Sequence, residues 1–339
     1  MLRPASLLLC LLLALGQGLP AAAQDAAVLV LEPPLRCTNG LDCFIQNYVD
    51  QDPGPGVRDY ACGPLAYDGH AGTDFRPLDP AALRDGAEVL AAAAGVVRAV
   101  RDGMDDVGLA LSDPSVLEHS GGGNMVVLEH PGGWSTAYAH LRKGSLRVAP
   151  KQRVEAGQVL GRVGLSGRTE FPHVELSVRK DGRPADPFRG LAGGPECGPG
   201  GSPLWSPAAL ARLAYAPSAL AGAGFASQPP NQPSLPAGGP GPERFSVIAP
   251  AVVFWVQTLG LRAGDQMHLR LIGPDGAVLA EHRQDLDRSQ AQRLDYVGKR
   301  RRVAPWPPGT YTGLYTLSRA DASGKRDVAL RAARSLEVR

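Results

Sequence analysis

The chain has 339 residues, too many for one ordinary hydrophobic core, so two domains with connecting segments are expected. Apolar content is normal for a globular protein, but aromatics make up only 6% while Gly (42) and Pro (31) are abundant, which favours short strands and turns over long helices. A formal charge of +2 excludes the basic footprint of a nucleic-acid binder, and the one basic run, Lys299-Arg300-Arg301-Arg302, reads as a solvated loop.

Residues 1–23 read as a signal peptide: Arg3 supplies the positive start, Leu7 to Leu15 the apolar stretch, and Ala21-Ala22-Ala23 the small residues before Gln24. The stretch is too short for a lasting membrane anchor, and Cys10 lies inside it rather than at a lipid-attachment position after it. A soluble periplasmic or secreted protein without a stable membrane anchor is therefore expected. Its remaining cysteines are Cys37, Cys43, Cys62 and Cys197. Four cysteines in an exported chain suggest two disulfides, with three pairings open. A Cys-based zinc site is disfavoured because no C-x-x-C pair is present.

Residues 24–60 read as an irregular leader, with Pro33-Pro34 and Asp52-Pro53-Gly54-Pro55-Gly56. Regular pattern begins in the segment 61–200. Val89, Leu90, Val96, Val97 and Val100 mark strands over 86–100, and Met125-Val126-Val127-Leu128 a short buried strand. After the turn Pro131-Gly132-Gly133, the residues Trp134, Thr136, Tyr138 and His140 share one face of a strand. Val154, Gly157, Val159, Gly161 and Val163 suggest a further strand pair, weakly similar to 86–97, as in an internally duplicated all-β sandwich or barrel. Residues 201–242, rich in Pro and Gly from Gly222 onward, are predicted to be a linker between independent domains, open to proteolysis. Residues 243–339 carry short strands and the turn Pro274-Asp275-Gly276, as in a small β-sandwich. That region shows no catalytic constellation; His268 and His282 stand alone.

Three segments carry chemistry. In His70-Ala71-Gly72-Thr73-Asp74 an extended backbone puts His70 and Asp74 on one face, and both are good zinc ligands. Tyr138-Ala139-His140-Leu141 ends a strand in a histidine. In Pro172-His173-Val174-Glu175-Leu176-Ser177-Val178 the alternation turns Val174, Leu176 and Val178 to a core and leaves His173, Glu175 and Ser177 on a polar face.

Together the three resemble the lysostaphin-like (LytM-like) zinc endopeptidases that cut peptide cross-links in bacterial cell walls. That family's pattern is H-x-G-x-D, then Y-x-H-L, then P-H-x-H before a basic hairpin ending in D-P; this chain reads HAGTD, YAHL, and PHVE followed by RKDGRPADP. The likeness runs from Tyr67 to Pro187 and includes Gly95-Val96-Val97 and the GQVLGRVG run from Gly157. It implies a zinc peptidase domain in an all-β chain, with Zn2+ as cofactor and peptidoglycan peptide as substrate. His70 and Asp74 match zinc ligands; His140 and His173 match catalytic histidines that do not bind the metal. Glu175 stands where the family has its third ligand, a His, and Phe171 where a Gly is common. A His, Asp, Glu set neutralises the ion's local charge, where His, His, Asp leaves it +1, so carbonyl polarisation and water acidification are weaker. The main alternative is a degenerate, non-catalytic relative that binds cell-wall enzymes or envelope partners through the same groove; separately, an envelope protein is the candidate partner of the C-terminal domain. A biotinyl or lipoyl carrier is disfavoured for lack of a Lys at a hairpin tip.

Overall fold

The structure, a computed structural model, describes residues 29–191, 196–230, 241–321 and 323–339. The expected signal peptide and residues 231–240 of the expected linker lie outside these.

The larger unit is built on an eight-stranded antiparallel sheet. In chain order its strands are β1 (Cys43–Asn47) and β2 (Thr73–Pro77); then β3 (Glu88–Leu90), which belongs to a separate pair; β4 (Gly95–Arg101), β5 (Asn124–His130), β6 (Trp134–Leu141) and β7 (Arg153–Val154). There follow β8 (Val159–Arg162), the partner of β3, and then β9 (Val174–Lys180) and β10 (Arg183–Ala185). The order across the sheet is β1-β2-β9-β6-β5-β4-β7, with β10 folded back on β9. The two Val/Gly-rich segments pair with each other rather than internally: β3 with β8, and β4 with β7. Along β9 the alternation holds, with Val174, Leu176 and Val178 at 0–1% exposure in the core and Glu175 and Ser177 on the opposite, half-buried face.

Of the expected irregular leader 24–60, the described residues, from Leu29 on, contribute to the core. Leu29, Leu31, Leu35, Phe44, Ile45 and Tyr48 are core residues, and β1 forms the sheet edge beside β2, pairing Asn47 with Asp74. The strand CFIQN escapes pattern reading because both of its faces are covered: Phe44 and Ile45 are neighbours and each is fully buried.

Among the described residues, three short α-helices interrupt the β pattern: α1 (Pro80–Asp85), α2 (Pro114–Ser120) and α3 (Pro207–Arg212). Each starts with Pro in its first turn behind a capping side chain, Asp79, Asp113 and Ser206 accepting from the N–H of Ala82, Ser115 and Ala209.

The C-terminal unit is a sandwich of β11 (Ala219–Ala226), β12 (Arg244–Phe245), β13 (Ala251–Leu261), β14 (Gln266–Ile272), β15 (Val278–Asp285), β16 (Gln290–Arg300), β17 (Gly309–Ala320) and β18 (Arg326–Val338). A sheet ordered β11-β13-β16 packs on one ordered β12-β18-β17-β14-β15 around Phe254, Leu269, Tyr315 and Leu336. Residues 201–242 therefore are not a free linker throughout, since they supply α3 and β11. Ala219 and Ala221 of β11 enter the first core, whereas Ala223 and Phe225 enter the second. Alanine and glycine make this strand (ALAGAGFA) look like a spacer, yet its small side chains are shared between the cores of the two units. Lys299 and Arg300 end β16 rather than sitting in a loop, and both are exposed. His268 lies at the surface with its Nε2 2.6 Å from Glu281.

The disulfides are Cys37–Cys43 and Cys62–Cys197. The second lies near a buried polar and aromatic cluster of Tyr48, Tyr60, Phe188 and Tyr215, with Asp59 accepting from Tyr215 OH at 2.7 Å. Close by is Asp186, of the D-P that ends the hairpin motif. Burial pushes its carboxyl up to about 7, against the opposing pull of the Phe188 N–H and Arg189. The folded protein thus holds a proton here that the unfolded chain releases near the ordinary carboxylate value, about 4. This contribution to stability is fully present below that value and is lost as pH rises toward 7, at up to about 1.4 kcal/mol per pH unit. Asp186→Asn, which mimics the neutral acid, should remove this slope. The check is urea unfolding of both proteins at pH 4.5, 6 and 8, where the stability gap should widen in favour of the variant as pH rises; a constant gap rejects the assignment.

Candidate metal centre and catalytic cleft

The polar side of β2, β6 and β9 gathers all five candidate residues. Asp74 on β2 lies directly opposite Glu175 on β9, and Ala139, the residue before His140, lies opposite Glu175 from β6. Antiparallel partners project to the same face, so pairing register brings Asp74 and Glu175 together. His70 joins from the turn before β2, its N–H donating to Tyr67 O at 2.9 Å and its own carbonyl accepting from Asp50 N–H at 2.8 Å. His140 has φ +60, a left-handed conformation that a non-glycine residue holds only where its surroundings enforce it. Here its N–H donates to Gly122 O and its carbonyl accepts from Gly164 N–H, which ends β6 and turns the ring into the cleft.

The three histidines share one device. The Nδ1 of His70, His140 and His173 lies 2.8, 2.8 and 2.9 Å from the carbonyl oxygens of Tyr48, Ser166 and Phe171. A carbonyl only accepts, so each Nδ1 carries the proton and each Nε2 of the neutral ring presents its lone pair to the cleft. His70 Nε2 lies 3.3 Å from Asp74 Oδ1, and His173 Nε2 3.5 Å from the same oxygen. His140 Nε2 lies 3.5 Å from Glu175 Oε2, and the His140 and His173 rings are 4.7 Å apart.

Two of these atoms, His70 Nε2 and Asp74 Oδ1, are buried without a hydrogen-bond partner among the described residues; their 3.3 Å approach lacks hydrogen-bond alignment. Unpaired buried polar atoms are costly, so a pair of them facing each other marks a place built for something else. Ligand atoms of His70, Asp74 and Glu175 all lie within 4.8 Å of one another. One imidazole nitrogen and two carboxylates, in a cluster of this size, suit a divalent cation such as zinc. Gly72 belongs to this arrangement: a Cβ there would stand 2.6 Å from Glu175 Cγ, so any side chain would displace Glu175. A second cluster, Cys37, Asp42 and Cys43, offers no thiolate because its cysteines are bonded to each other.

The acidic groups are oriented from behind. Asn47 Nδ2 donates to Asp74 Oδ2 at 2.7 Å, and Ser177 Oγ donates to Glu175 Oε1 at 2.8 Å. Burial raises the Asp74 carboxyl, but His173 and His70 outweigh it and hold the group well below the usual carboxylate range. Burial likewise opposes the charge on His70, yet Asp74 pushes its pKa up to about 9. For Glu175 and His140 burial is again the largest influence, and each is overcome by the other: the carboxyl is lowered and the imidazole raised. Among the groups that pattern reading missed, Asn47 sits on the unrecognised strand β1 and left no signal. Ser177 was visible as the third member of the polar face.

Residues 68–187 match the family model described as Peptidase family M23. They form an M23 peptidase domain. The matched stretch coincides with the motif-bearing segment and contains all five cleft residues. Among similar proteins, the cell division protein DipM of Caulobacter vibrioides is 41% identical over 71 residues, 19% of this chain and 11% of DipM. The peptidoglycan DD-endopeptidase ShyA of Vibrio cholerae is 31% identical over 120 residues, 35% of this chain and 22% of ShyA. A solved zinc-containing peptidase from Vibrio cholerae overlays with 26% identity and a TM-score of 0.28, covering 45% of this chain and 39% of the other. The chain thus spans less than a quarter of the length of these two curated relatives.

Proposed function

We propose that the protein is a zinc-dependent endopeptidase that hydrolyses peptide bonds of peptidoglycan in the cell envelope, periplasmic or secreted. The observation that carries this reading is the convergence of the orphaned His70 Nε2 and Asp74 Oδ1 with Glu175, beside two further histidines whose Nε2 atoms face these carboxylates. His70, Asp74 and Glu175 would hold the ion. When bound, zinc supplies Lewis-acid polarisation of the scissile carbonyl and makes water more acidic. His140 and His173 do the proton work. With Nδ1 committed to a carbonyl, each Nε2 can take a proton from attacking water and, once charged, donate to the developing oxyanion or the leaving amine. Ser177 and Asn47 hold the two carboxylates so that neither swings into the path of the peptide. DD-endopeptidases among the similar proteins support the substrate class.

A second reading has its own support: a non-catalytic domain that binds in the envelope. Glu175 is already satisfied by Ser177 and faces His140, an arrangement that stands without metal. Zinc content of the purified protein, measured together with release of soluble peptide from purified peptidoglycan sacculi, separates the two. The peptidase reading expects close to one zinc per chain and hydrolysis abolished by chelation and restored by zinc. Zinc retained with intact sacculi selects the binding reading.

A further inference from the structure

Next to the cleft lies a charge that the proposed chemistry does not use. Arg76 follows Asp74 by two residues on β2, so both side chains leave the strand on the cleft face. Arg76 is 6% exposed, and its guanidinium carbon lies 4.8 Å over the ring of Phe171, which in turn stands 4.6 Å from the His173 ring. Its Nη1 donates to Gln46 Oε1 at 2.8 Å and to Gln292 Oε1 at 3.0 Å, while its buried Nε has no partner among the described residues. Among the described residues it makes no ion pair with a carboxylate; its hydrogen bonds go to two neutral amides.

A buried cation without a counter-ion is expensive, and two neutral amides do not offset that cost. Gln292 belongs to β16 of the C-terminal sandwich, so this contact also places the sandwich against the cleft. Phe44, the partner of Arg76 across β1 and β2, shares its face and is fully buried, and it belongs to one core with Leu259 of the sandwich. The C-terminal unit therefore forms a wall beside Arg76.

We infer that Arg76, framed by Gln46, Phe171 and Gln292, is a carboxylate-binding subsite of the cleft, and that it selects peptides carrying a free carboxylate near the bond presented to His173. The Nε edge of the guanidinium makes no hydrogen bond among the described residues, and a planar guanidinium can pair side-on with a carboxylate in a geometry an ammonium cannot reproduce. The inference rests on the peptidase reading for the identity of the peptide, and the test is designed to separate the two.

The full-length mature protein, stripped of metal so that nothing is hydrolysed, is titrated calorimetrically with Lys-D-Ala-D-Ala and with its C-terminal amide. Wild type is expected to bind the free acid about tenfold or more tighter than the amide, in the range of a charge-assisted hydrogen-bonded pair. Arg76→Met should bind the two alike, and Arg76→Lys should recover only part of the preference. Arg76 also ties two units together, so its variants can lose stability. Gln292→Glu meets this by giving the guanidinium an internal carboxylate; it should keep or raise the melting temperature while abolishing the preference. Equal binding of acid and amide by wild type overturns the subsite, as does an undiminished preference in Gln292→Glu. Hydrolysis of sacculi without any carboxylate preference removes the subsite and leaves the peptidase reading intact; a preference in a protein that cuts nothing does the reverse.

Discussion

Glu175→Ala is expected to empty the metal centre and abolish hydrolysis. The cluster offers three ligand atoms, and removing one leaves His70 and Asp74, too few to complete a structural or catalytic zinc site. Groups that merely orient a ligand are worth 10–100-fold in metal affinity, so loss of a ligand should cost at least on the order of a hundredfold. His140→Ala and His173→Ala should behave oppositely, keeping zinc but losing roughly 10²–10⁴ in turnover, since the role proposed for them is proton transfer. Glu175→His is the informative partner. It restores positive charge to the centre and should move the pH–rate profile to lower pH, because water there becomes more acidic. Its ring must be accommodated over Gly72, whose missing side chain leaves the needed room. Metal analysis after dialysis against a weak chelator, run on all four variants beside wild type, reads this out. Zinc retained at wild-type affinity by Glu175→Ala would falsify the assignment of Glu175 as a ligand.

The second large effect concerns stability. The Cys62–Cys197 bridge closes a loop of 135 residues, whereas Cys37–Cys43 closes one of 6. Constraint of the unfolded chain grows with the logarithm of loop length, giving about 5 kcal/mol for the long bridge and about 2 kcal/mol for the short one. The larger figure is comparable to the entire stability of many domains. It also bears on the cleft: the long bridge anchors the chain ahead of His70, and that stretch supplies the Tyr48 carbonyl and Asp50 contacts that aim the imidazole. The Cys62→Ser/Cys197→Ser double variant should therefore show a much lower urea midpoint and weakened zinc binding, while Cys37→Ser/Cys43→Ser shows a smaller loss. Equal losses from the two pairs contradict the loop-length argument.

What could be read along the chain followed from local periodicity. Val174, Leu176 and Val178 alternate with His173, Glu175 and Ser177, and a strand has no other way to place them than on two faces. HAGTD, YAHL and PHVE are each compact enough that their own spacing sets which residue points where, and all five site candidates stand in one cleft. The helices behind Asp79 and Asp113 were also written locally, as Asp-Pro pairs that cap and start a helix, although the excess of Gly and Pro drew the reading toward turns.

Other features depend on partners far away in sequence. Strand β1 is covered on both faces, so it has no alternation to read, and its Asn47 becomes a support for Asp74 only because β1 pairs with β2 across some thirty intervening residues. The Ala/Gly-rich β11 has the composition of a spacer, and it is a strand because β13 supplies its hydrogen bonds and two cores need small side chains between them. Three disulfide pairings were open to four cysteines, and spatial proximity chose one. Arg76, followed by Pro, carries no local signal of its surroundings. Burial beneath Phe171 and Gln292, from a strand more than two hundred residues later, is what turns it into an unpaired charge beside the cleft. Sequence by itself determined the chemistry, because ligand types and strand periodicity are local. Tertiary structure decided the surroundings of that chemistry, because burial and charge compensation are properties of neighbours that the chain brings together only by folding.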